Sequence, residues 1–342
     1  MIVARDLPEH IVTFVQSMLR AEFATVSSAG VPIDTAVSYF PSAGLKSIDL
    51  ATGVTYPAKA ERARRNPNVG LLIEGKIYDP VVSIAGIAAV RDSDIQANVH
   101  RYIAELGHYL PGNPSWTTAR KAVWYWPRIF VEVSPVRVLW WDNAAEMKNP
   151  PHRWDAPADS VHPKSDPAPR GEASQAAEWP LKPWQELAKV GLARGLGGHL
   201  TVADSDGYPL PMRARAIMRT DEGFMMELPP GLTWPVIGKA TLSFQGIETF
   251  VGVVSTRDGL TTMRVERALP SLPLLTDAKQ LWEPPADVRD KLMARLIHEM
   301  RRRDLPIPTV PDERPPPTEN YKRRLPQLDL LRRLPVGKGF ND

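Results

Sequence analysis

A short basic segment holds the residues whose types and spacing could bind an anionic ligand. Residues 57–65 read PAKAERARR, and two hydroxyl residues, Thr52 and Thr55, precede them. The cations of the segment are Lys59, Arg62, Arg64 and Arg65. A phosphate group is held well by a lysine or arginine, by hydroxyl donors and by backbone N–H groups at a helix N-terminus. The pattern therefore predicts a phosphate site, with an ordinary exposed basic helix as the alternative.

The elements that must position this segment read as strands interrupted by helices. Apolar periodicity predicts an amphipathic helix over 6–20, a polar helix over 57–65 that ends at Asn66-Pro67, and a second amphipathic helix over 93–106. The predicted strands are 22–28, 32–40, 46–51, 68–74, 80–91 and 128–141. Six strands with turn signals between them are typical of a small barrel with peripheral helices.

The same hairpin pattern occurs twice in the chain. TVSSAGVPIDTAVSYF begins at Thr25 and TVADSDGYPLPMRARAIM at Thr201. Each copy has a polar turn closed by a glycine, Gly30 or Gly207, and a proline two residues later. Two copies half a chain apart indicate two related domains rather than a short-period repeat.

The second half repeats the strands without the basic helix. It predicts helices at 183–194 and 286–303 and strands at 198–204, 209–219, 223–228, 239–245, 248–256 and 259–267. Where the first copy has its basic segment, the second has only PPGLTWPVIGK. We therefore expect no phosphate site in the second copy. Arg213 and Arg215 could reach a ligand of the first domain or pair on the surface with Asp221 or Glu222.

The domain boundaries follow from these patterns and from proline content. We expect a first barrel over 1–142, a proline-rich linker over 143–183, a second barrel with a C-terminal helix over 184–304, and a proline-rich tail over 305–342. The tail is expected to wrap the protein surface or a partner subunit, or to stay disordered. Tryptophans in the linker should dock on neighbouring surfaces, namely Trp154, Trp179 and Trp184.

Composition narrows the class of protein. The 342 residues include no cysteine, which excludes disulfides, thiolate metal sites and cysteine nucleophiles. The net charge of +3 is mild, so we expect no nucleic-acid partner. There is no apolar run of membrane-spanning length and no secretory pattern at the start, so we expect no membrane association and a cytoplasmic location. The histidines form no close metal pair, so no metal site is expected, although His108 or His199 could serve as a haem ligand.

Four stretches of the first half together resemble a known family. They are ATVSSAGVPIDTAVSYF at 24–40, IDLATGVTYPAKAERARRNPNVGLLIEG at 48–75, SIAGIAAVRD at 83–92 and RIFVEVSPVRVLWW at 128–141. In order and spacing they resemble the pyridoxamine 5′-phosphate oxidase-like, FMN-binding split-barrel superfamily. The resemblance implies a mainly β fold with peripheral helices (α+β), built here as two tandem split β-barrels, of which the second is a degenerate copy.

The resemblance also implies a cofactor, FMN, and residues that hold it. By position, Thr52, Thr55 and Lys59 would hold the flavin phosphate, with Arg65 nearby. The second strand would supply the ring wall through Thr35, Ala36, Val37 and Ser38, although many members carry a proline in place of Ala36. Family flavins usually lie at a dimer interface. In the family, a second subunit supplies the other wall of the flavin site. Here Trp126 and Arg128, beside Trp124 and Tyr125, could form that wall or could simply pack at the barrel seam.

The function that the resemblance implies is that of an FMN-dependent oxidoreductase. Its substrate would be a small, aromatic or conjugated organic molecule, with NAD(P)H as a candidate electron donor, and the chain would act as a homodimer or as an intrachain pseudo-dimer. We assign no catalytic side chain. The arginine–histidine segment of pyridoxamine phosphate oxidase itself is not found, so that activity is not expected. The alternatives are a non-catalytic flavin or haem binding or sensing protein, and a metal-dependent or cofactor-free enzyme on the same fold.

Overall fold

The computed structural model describes residues 6–175, 182–195, 197–244, 247–270 and 278–333. In this part of the chain, antiparallel strands form two six-stranded barrels. The prediction of two tandem split β-barrels is confirmed by this strand pairing.

Barrel 1 is built from the first half of the chain. Its strands are β1 (Arg20–Val26), β2 (Pro32–Pro41), β3 (Ile48–Gly53), β4 (Asn68–Glu74), β5 (Val81–Arg91) and β6 (Arg128–Trp141). They pair in the order β3-β2-β1-β4-β5-β6, and β3 closes the ring against β6. The helices around it are α1 (Glu9–Ser17), α2 (Ala58–Arg65), α3 (Ile95–Leu106) and the short α4 (Trp116–Ala119).

Local sequence explains where the elements that frame the site begin and end. Helix α2 ends before Asn66, whose extended backbone is what a following proline imposes. Helix α3 begins after Asp94, whose side chain caps it by accepting a hydrogen bond from the Ala97 amide at 2.8 Å. Gly30 closes the β1–β2 turn with a φ of +72°, a conformation that glycine adopts without strain.

Residues 143–175 lie against barrel 1 rather than extending away from it. A 3-10 helix, Ala144–Lys148, is followed by β7 (His152–Asp155), which pairs with β6. Asp166 accepts hydrogen bonds from the backbone amides of Asp92 and Ser93. Trp154 packs against the barrel 1 core as predicted, whereas Trp179 lies outside the described residues.

Barrel 2 repeats the ring of barrel 1 with fewer additions. After α5 (Trp184–Ala193), its strands are β8 (Gly198–Ala203), β9 (Pro209–Arg219), β10 (Gly223–Glu227), β11 (Gly238–Phe244), β12 (Glu248–Arg257) and β13 (Leu260–Ala268). The ring order β10-β9-β8-β11-β12-β13 is that of barrel 1 with each strand replaced by its counterpart. Residues 228–237, all described, contain no helix, so the counterpart of α2 is missing as predicted.

The C-terminal elements return to barrel 1. They are α6 (Ala278–Trp282), α7 (Ala286–Arg302) and α8 (Glu319–Arg333). Leu296 and Met300 of α7 join the core of barrel 1. Arg324 of α8 is almost fully buried over the Tyr39 ring, 5.0 Å from its centroid. The described part of the tail therefore wraps barrel 1.

None of the helices in the described part of the chain combines the length and apolar composition needed to cross a membrane.

The two barrels pack against each other through equivalent strands. β4 packs on β9 and β1 on β9, while their counterparts β11 and β8 pack on β2. Each contact thus occurs twice with the roles of the barrels exchanged, which is the pattern of a pseudo-twofold axis. The approach is close at Gly70 of β4, where an added Cβ would lie 1.7 Å from the carbonyl oxygen of Pro209.

A buried polar cluster lies on this axis. Glu22 stands opposite Ala36 on β2, and His199 stands opposite Arg213 on β9, so Glu22 and His199 occupy equivalent positions. His199 Nδ1 lies 3.6 Å from Glu22 Oε1, and His199 Nε2 lies 2.7 Å from Glu74 Oε1. Arg213 donates to the same Glu74 oxygen at 2.5 Å. The barrels are therefore joined by charge complementarity as well as by apolar packing.

The cluster shifts the acid–base properties of its members. Burial opposes charge on His199, but the carboxylates of Glu22 and Glu74 outweigh it and raise the pKa of His199 to about 9. Burial also opposes charge on Glu74, but His199 and Arg213 lower its pKa to about 2. Asp34 is fully buried beside Thr241, and burial followed by the Glu22 charge raises its pKa to about 7.

Candidate functional site

A cavity of about 390 Å³ lies on barrel 1 between β2, β3, the start of α2 and the inner face of α3. Predicted residues from three separate parts of the sequence line it. They are Thr35, Ala36, Val37, Ser38, Thr52, Thr55, Lys59 and Arg128. The barrel therefore brings the basic segment and the second strand to one place, as the site prediction requires.

Two predicted residues do not line this cavity. Arg65 is exposed on the outer side of α2. Trp126 is only 1% exposed and donates its Nε1 hydrogen to the Ala119 carbonyl at 2.8 Å. Its ring packs against those of Trp116 and Trp282, so Trp126 is a core residue behind the cavity, in line with the alternative of seam packing.

One end of the cavity has the features of an anion site. Helix α2 starts after Pro57, and no side chain caps its first turn. The N–H groups of a first helical turn have no partner within the helix and carry a partial positive charge. Thr52 Oγ1 lies 3.2 Å from the Tyr56 carbonyl oxygen, which holds the loop that leads into the helix. The Thr55 side chain is buried in the same loop.

Two cations converge on this end without a matching acid. Among the described residues, no carboxylate pairs with Lys59 or Arg128, and no residue that lines the cavity is an aspartate or glutamate. Burial, followed by the charges of Arg62 and Arg128, lowers the pKa of Lys59 to about 8. The positive charge there is uncompensated, so an anionic group would be stabilised at this position.

Two tyrosines fix the position of Arg128. Its guanidinium carbon lies 4.3 Å from the ring centroids of both Tyr102 and Tyr125, a cation–π arrangement on two faces. Gly53 is needed for this placement, because a Cβ at that position would lie 2.8 Å from Arg128 Nη1. The guanidinium is thus held rigidly at the cavity wall although it has no acidic partner.

The rest of the cavity lining forms an apolar slot with free hydrogen-bonding atoms. Trp124, Tyr125, Leu281 and Leu292 contribute its rings and aliphatic chains. Thr35 Oγ1 and Trp124 Nε1 are buried, and neither has a hydrogen-bond partner among the described residues. Leaving such atoms unpaired costs about 1–3 kcal/mol each, which a ligand with a polar edge would recover. A planar heterocycle that carries a phosphate would match both the apolar and the cationic parts of this lining.

The wall facing barrel 1 comes from the same chain. Pro270, Leu281 and Leu292 follow barrel 2 in sequence and line the cavity. Arg295 of α7 anchors this wall by donating to the Thr55 carbonyl at 2.7 Å, and its guanidinium lies 4.8 Å from the Tyr56 ring centroid. Residues that follow barrel 2 in the same chain thus supply part of the cavity wall.

Sequence reasoning missed the residues that come from far away in the chain. Tyr102 lies on the buried face of α3, the amphipathic helix predicted over 93–106, and its phenol group is the one sign in the sequence that this face meets a polar site. Leu281 and Leu292 lie more than two hundred residues beyond the basic segment, and no local pattern connects them to it.

The two histidines that could serve as haem ligands lie elsewhere in the structure. His199 lies in the cluster between the barrels, and His108 Nε2 lies 2.9 Å from the Pro315 carbonyl. No group of three potential metal ligands is formed by the described residues.

Comparison with known proteins gives structural relatives only. No family model matches the sequence, and no curated protein matches it. General stress protein 26 from Bacillus anthracis is 18% identical over 43% of this chain and 97% of its own, with a TM-score of 0.30. A conserved hypothetical protein from Mycobacterium tuberculosis is 25% identical over 45% of this chain and 94% of its own, with a TM-score of 0.33.

A third similar structure carries a functional description. It is a pyridoxamine 5′-phosphate oxidase-related, FMN binding protein from Nostoc punctiforme, 16% identical over 40% of this chain and 77% of its own, with a TM-score of 0.28. The fold assignment rests on the strand order of the chain itself, which is that of two tandem split barrels.

Proposed function

We propose that barrel 1 binds FMN in the 390 Å³ cavity and that the protein is an FMN-dependent oxidoreductase for a small aromatic or conjugated molecule. The observation that carries the proposal is the pair of acid-free cations, Lys59 and Arg128, beside the uncapped start of α2. A phosphate dianion would compensate these charges and accept hydrogen bonds from the first-turn amides.

The remaining lining residues fit the rest of the cofactor. Thr35 Oγ1 and Trp124 Nε1 would bond the polar edge of the flavin ring, and the main chain of residues 35–38 would lie along its face. The aliphatic chains of Leu281 and Leu292 would exclude water from the opposite side. Bound FMN would supply hydride transfer, and the protein would supply orientation and a dry slot.

The side chains around the slot restrict proton transfer. Burial raises the pKa of Tyr125 well above its ordinary value, so its phenol stays protonated at neutral pH and can only donate or share a hydrogen. Its oxygen lies 3.3 Å from that of Tyr102. Tyr125 would thus orient a substrate carbonyl rather than act as a base.

Binding of the cofactor tests the proposal directly. FMN and riboflavin, which lacks the phosphate, would be titrated into the protein and followed by flavin fluorescence. Lys59→Ala should weaken FMN binding about 10–100-fold, the scale of a lost charge-assisted hydrogen bond, and leave riboflavin binding unchanged. Arg65→Gln is the matched control, because Arg65 lies on the same helix but outside the cavity. Failure of FMN to bind, or equal binding of riboflavin by the wild type, would contradict the proposal.

The same preparation separates an enzyme from a carrier and tests the assembly. Steady-state reduction of the bound flavin by NADH or NADPH supports turnover, whereas a flavin that no donor reduces favours the binding or sensing alternative.

We also propose that the cavity wall formed by residues after barrel 2 replaces the second subunit of the family dimer. Light scattering should then give a mass of about that of one chain, 38.0 kDa, and flavin absorbance should give one FMN per chain.

A further inference from the structure

A second cavity, of about 610 Å³, lies at the junction of the two barrels. Arg213 and Arg215 of β9 line it. These arginines stand four and six residues after the turn proline Pro209, just as Ala36 and Ser38 stand after Pro32 on β2. Since Ala36 and Ser38 line the first cavity, the second cavity is its pseudo-symmetric counterpart on barrel 2.

The walls of the second cavity are mostly apolar. Ile77 and Val81 from the β4–β5 hairpin, Ala144 and Met147 from the 3-10 helix, and Pro229 from the end of β10 form them. Ile77 is 64% exposed, so a large aliphatic side chain remains in solvent at the rim. An apolar ligand body would cover this surface.

The charges in the second cavity favour an anion. Glu74 is the acid in its lining, but His199 and Arg213 already pair with it. Lys76 and Arg215 also line the cavity, and among the described residues neither has an acidic partner. Arg215 stands opposite Glu227 in the β9–β10 ladder without forming an ion pair, and its guanidinium instead reaches the Ala144 carbonyl at 3.4 Å. The expected surface pairing of Arg213 and Arg215 with Asp221 or Glu222 is not observed.

We infer that this cavity binds a small amphipathic carboxylate, with its apolar body against Ile77, Val81 and Met147 and its carboxylate between Lys76 and Arg215. A planar guanidinium matches a carboxylate in two parallel hydrogen bonds. A nucleotide phosphate is a poor match, because barrel 2 lacks the counterpart of α2 and its first-turn amides. The inference does not depend on FMN binding at the first cavity.

Two probes that differ only in charge test the inference. 2-Naphthoate and its uncharged analogue 2-naphthamide would be titrated into the full chain by calorimetry, with and without saturating FMN. The wild type should bind the naphthoate at least tenfold more tightly than the amide. K76Q/R215Q should reduce naphthoate affinity about 10–100-fold and leave the amide unchanged.

Three further variants complete the design. Arg219→Gln, on the same strand but outside the cavity, should have no effect. Ala144→Phe should abolish binding of both probes by filling the apolar part, with thermal unfolding used to confirm that it folds. Lys59→Ala should leave naphthoate binding intact. Equal binding of the two probes, an equal effect of Arg219→Gln, or loss of binding in Lys59→Ala would overturn the inference.

Discussion

At the scale of single residues, the most informative side chain is Lys59. Its ammonium group lies near Arg62 and Arg128, and burial, followed by repulsion from these two cations, lowers the pKa of Lys59 to about 8. Such an arrangement costs stability in the free protein. It is therefore better explained by a bound anion than by the requirements of the fold.

The lowered pKa of Lys59 predicts that this side chain takes up a proton when FMN binds. The pKa of Lys59 is about 8 in the free protein, and a phosphate dianion would raise it towards its ordinary value by favouring the charged form. At pH 8, FMN binding should therefore take up about half a proton, and FMN affinity should fall as the pH rises further. Calorimetry in buffers of different ionisation enthalpy measures the uptake. Riboflavin should show none, and a Lys59→Arg variant that still takes up protons would contradict the assignment.

The residue types near the cavity were more predictable than their roles. Thr52, Thr55 and Lys59 could be selected because phosphate chemistry requires hydroxyl and cationic groups beside a helix start. Trp126 could not be separated from Trp124 and Tyr125, because three adjacent aromatic residues look alike in sequence. Only the tertiary packing shows that Trp126 points into the core while its neighbours line the slot.

At the scale of elements, the strands match the sequence pattern closely because turns fix their ends. Strand β6, Arg128–Trp141, agrees with the prediction at both ends, and β1 begins two residues before its predicted start. The short elements α4, the 3-10 helix and β7 were not predicted. Pieces of four or five residues carry too little periodicity to be recognised, and they form because the barrel surface offers partners.

The packing of β4 on β9 depends on one glycine. Gly70→Ala should destabilise the protein by about 2–4 kcal/mol, because the added methyl group would overlap the Pro209 carbonyl and force the barrels apart. Thermal unfolding followed by tryptophan fluorescence would measure the loss. Gly171→Ala is a control in an open position, where only a backbone effect of about 1 kcal/mol is expected. Equal losses in the two variants would show that the close approach is not limiting.

At the scale of the whole molecule, the second half completes what the first half begins. The sequence predicted two barrels from the repeated hairpin, and it predicted that the second lacks the basic helix. It did not predict that residues after barrel 2 return to line the first cavity. Contacts such as that of Leu292 with the cavity depend on how the barrels are placed, and no spacing within either half encodes that placement.

The interface between the barrels should make stability depend on pH. The raised pKa of His199 contributes stability that is present below about pH 6.5 and lost as the pH rises through 9. The raised pKa of Asp34 contributes stability that is lost as the pH rises from 3.8 to about 7. The lowered pKa of Glu74 acts in the opposite direction, and its contribution is lost as the pH falls from 4.5 towards 2. The protein should therefore be most stable in mildly acidic solution.

Asp34→Asn tests this dependence with little change in shape. The amide cannot ionise, so at pH 8 the variant should be more stable than the wild type by up to about 4 kcal/mol, while at pH 4 the two should be similar. Urea unfolding at both values measures the difference. Asp206→Asn, at an exposed position, serves as the control. A variant that is equally destabilised at both pH values would instead show that Asp34 acts as a hydrogen-bonding group only.

The pairing of Glu22 with His199 has a consequence for how such a molecule can arise. When identical polypeptides meet across an exact dyad, a residue on the dyad faces its own duplicate, and an acid there must confront an acid. When the two copies belong to one polypeptide, equivalent positions can carry different residues, and here Glu22 is acidic while its counterpart His199 is basic. Two first halves meeting through this face would each bring three carboxylates, those of Glu22, Asp34 and Glu74, and would repel. We therefore expect each half of this chain to pair with the other half in preference to a second copy of itself.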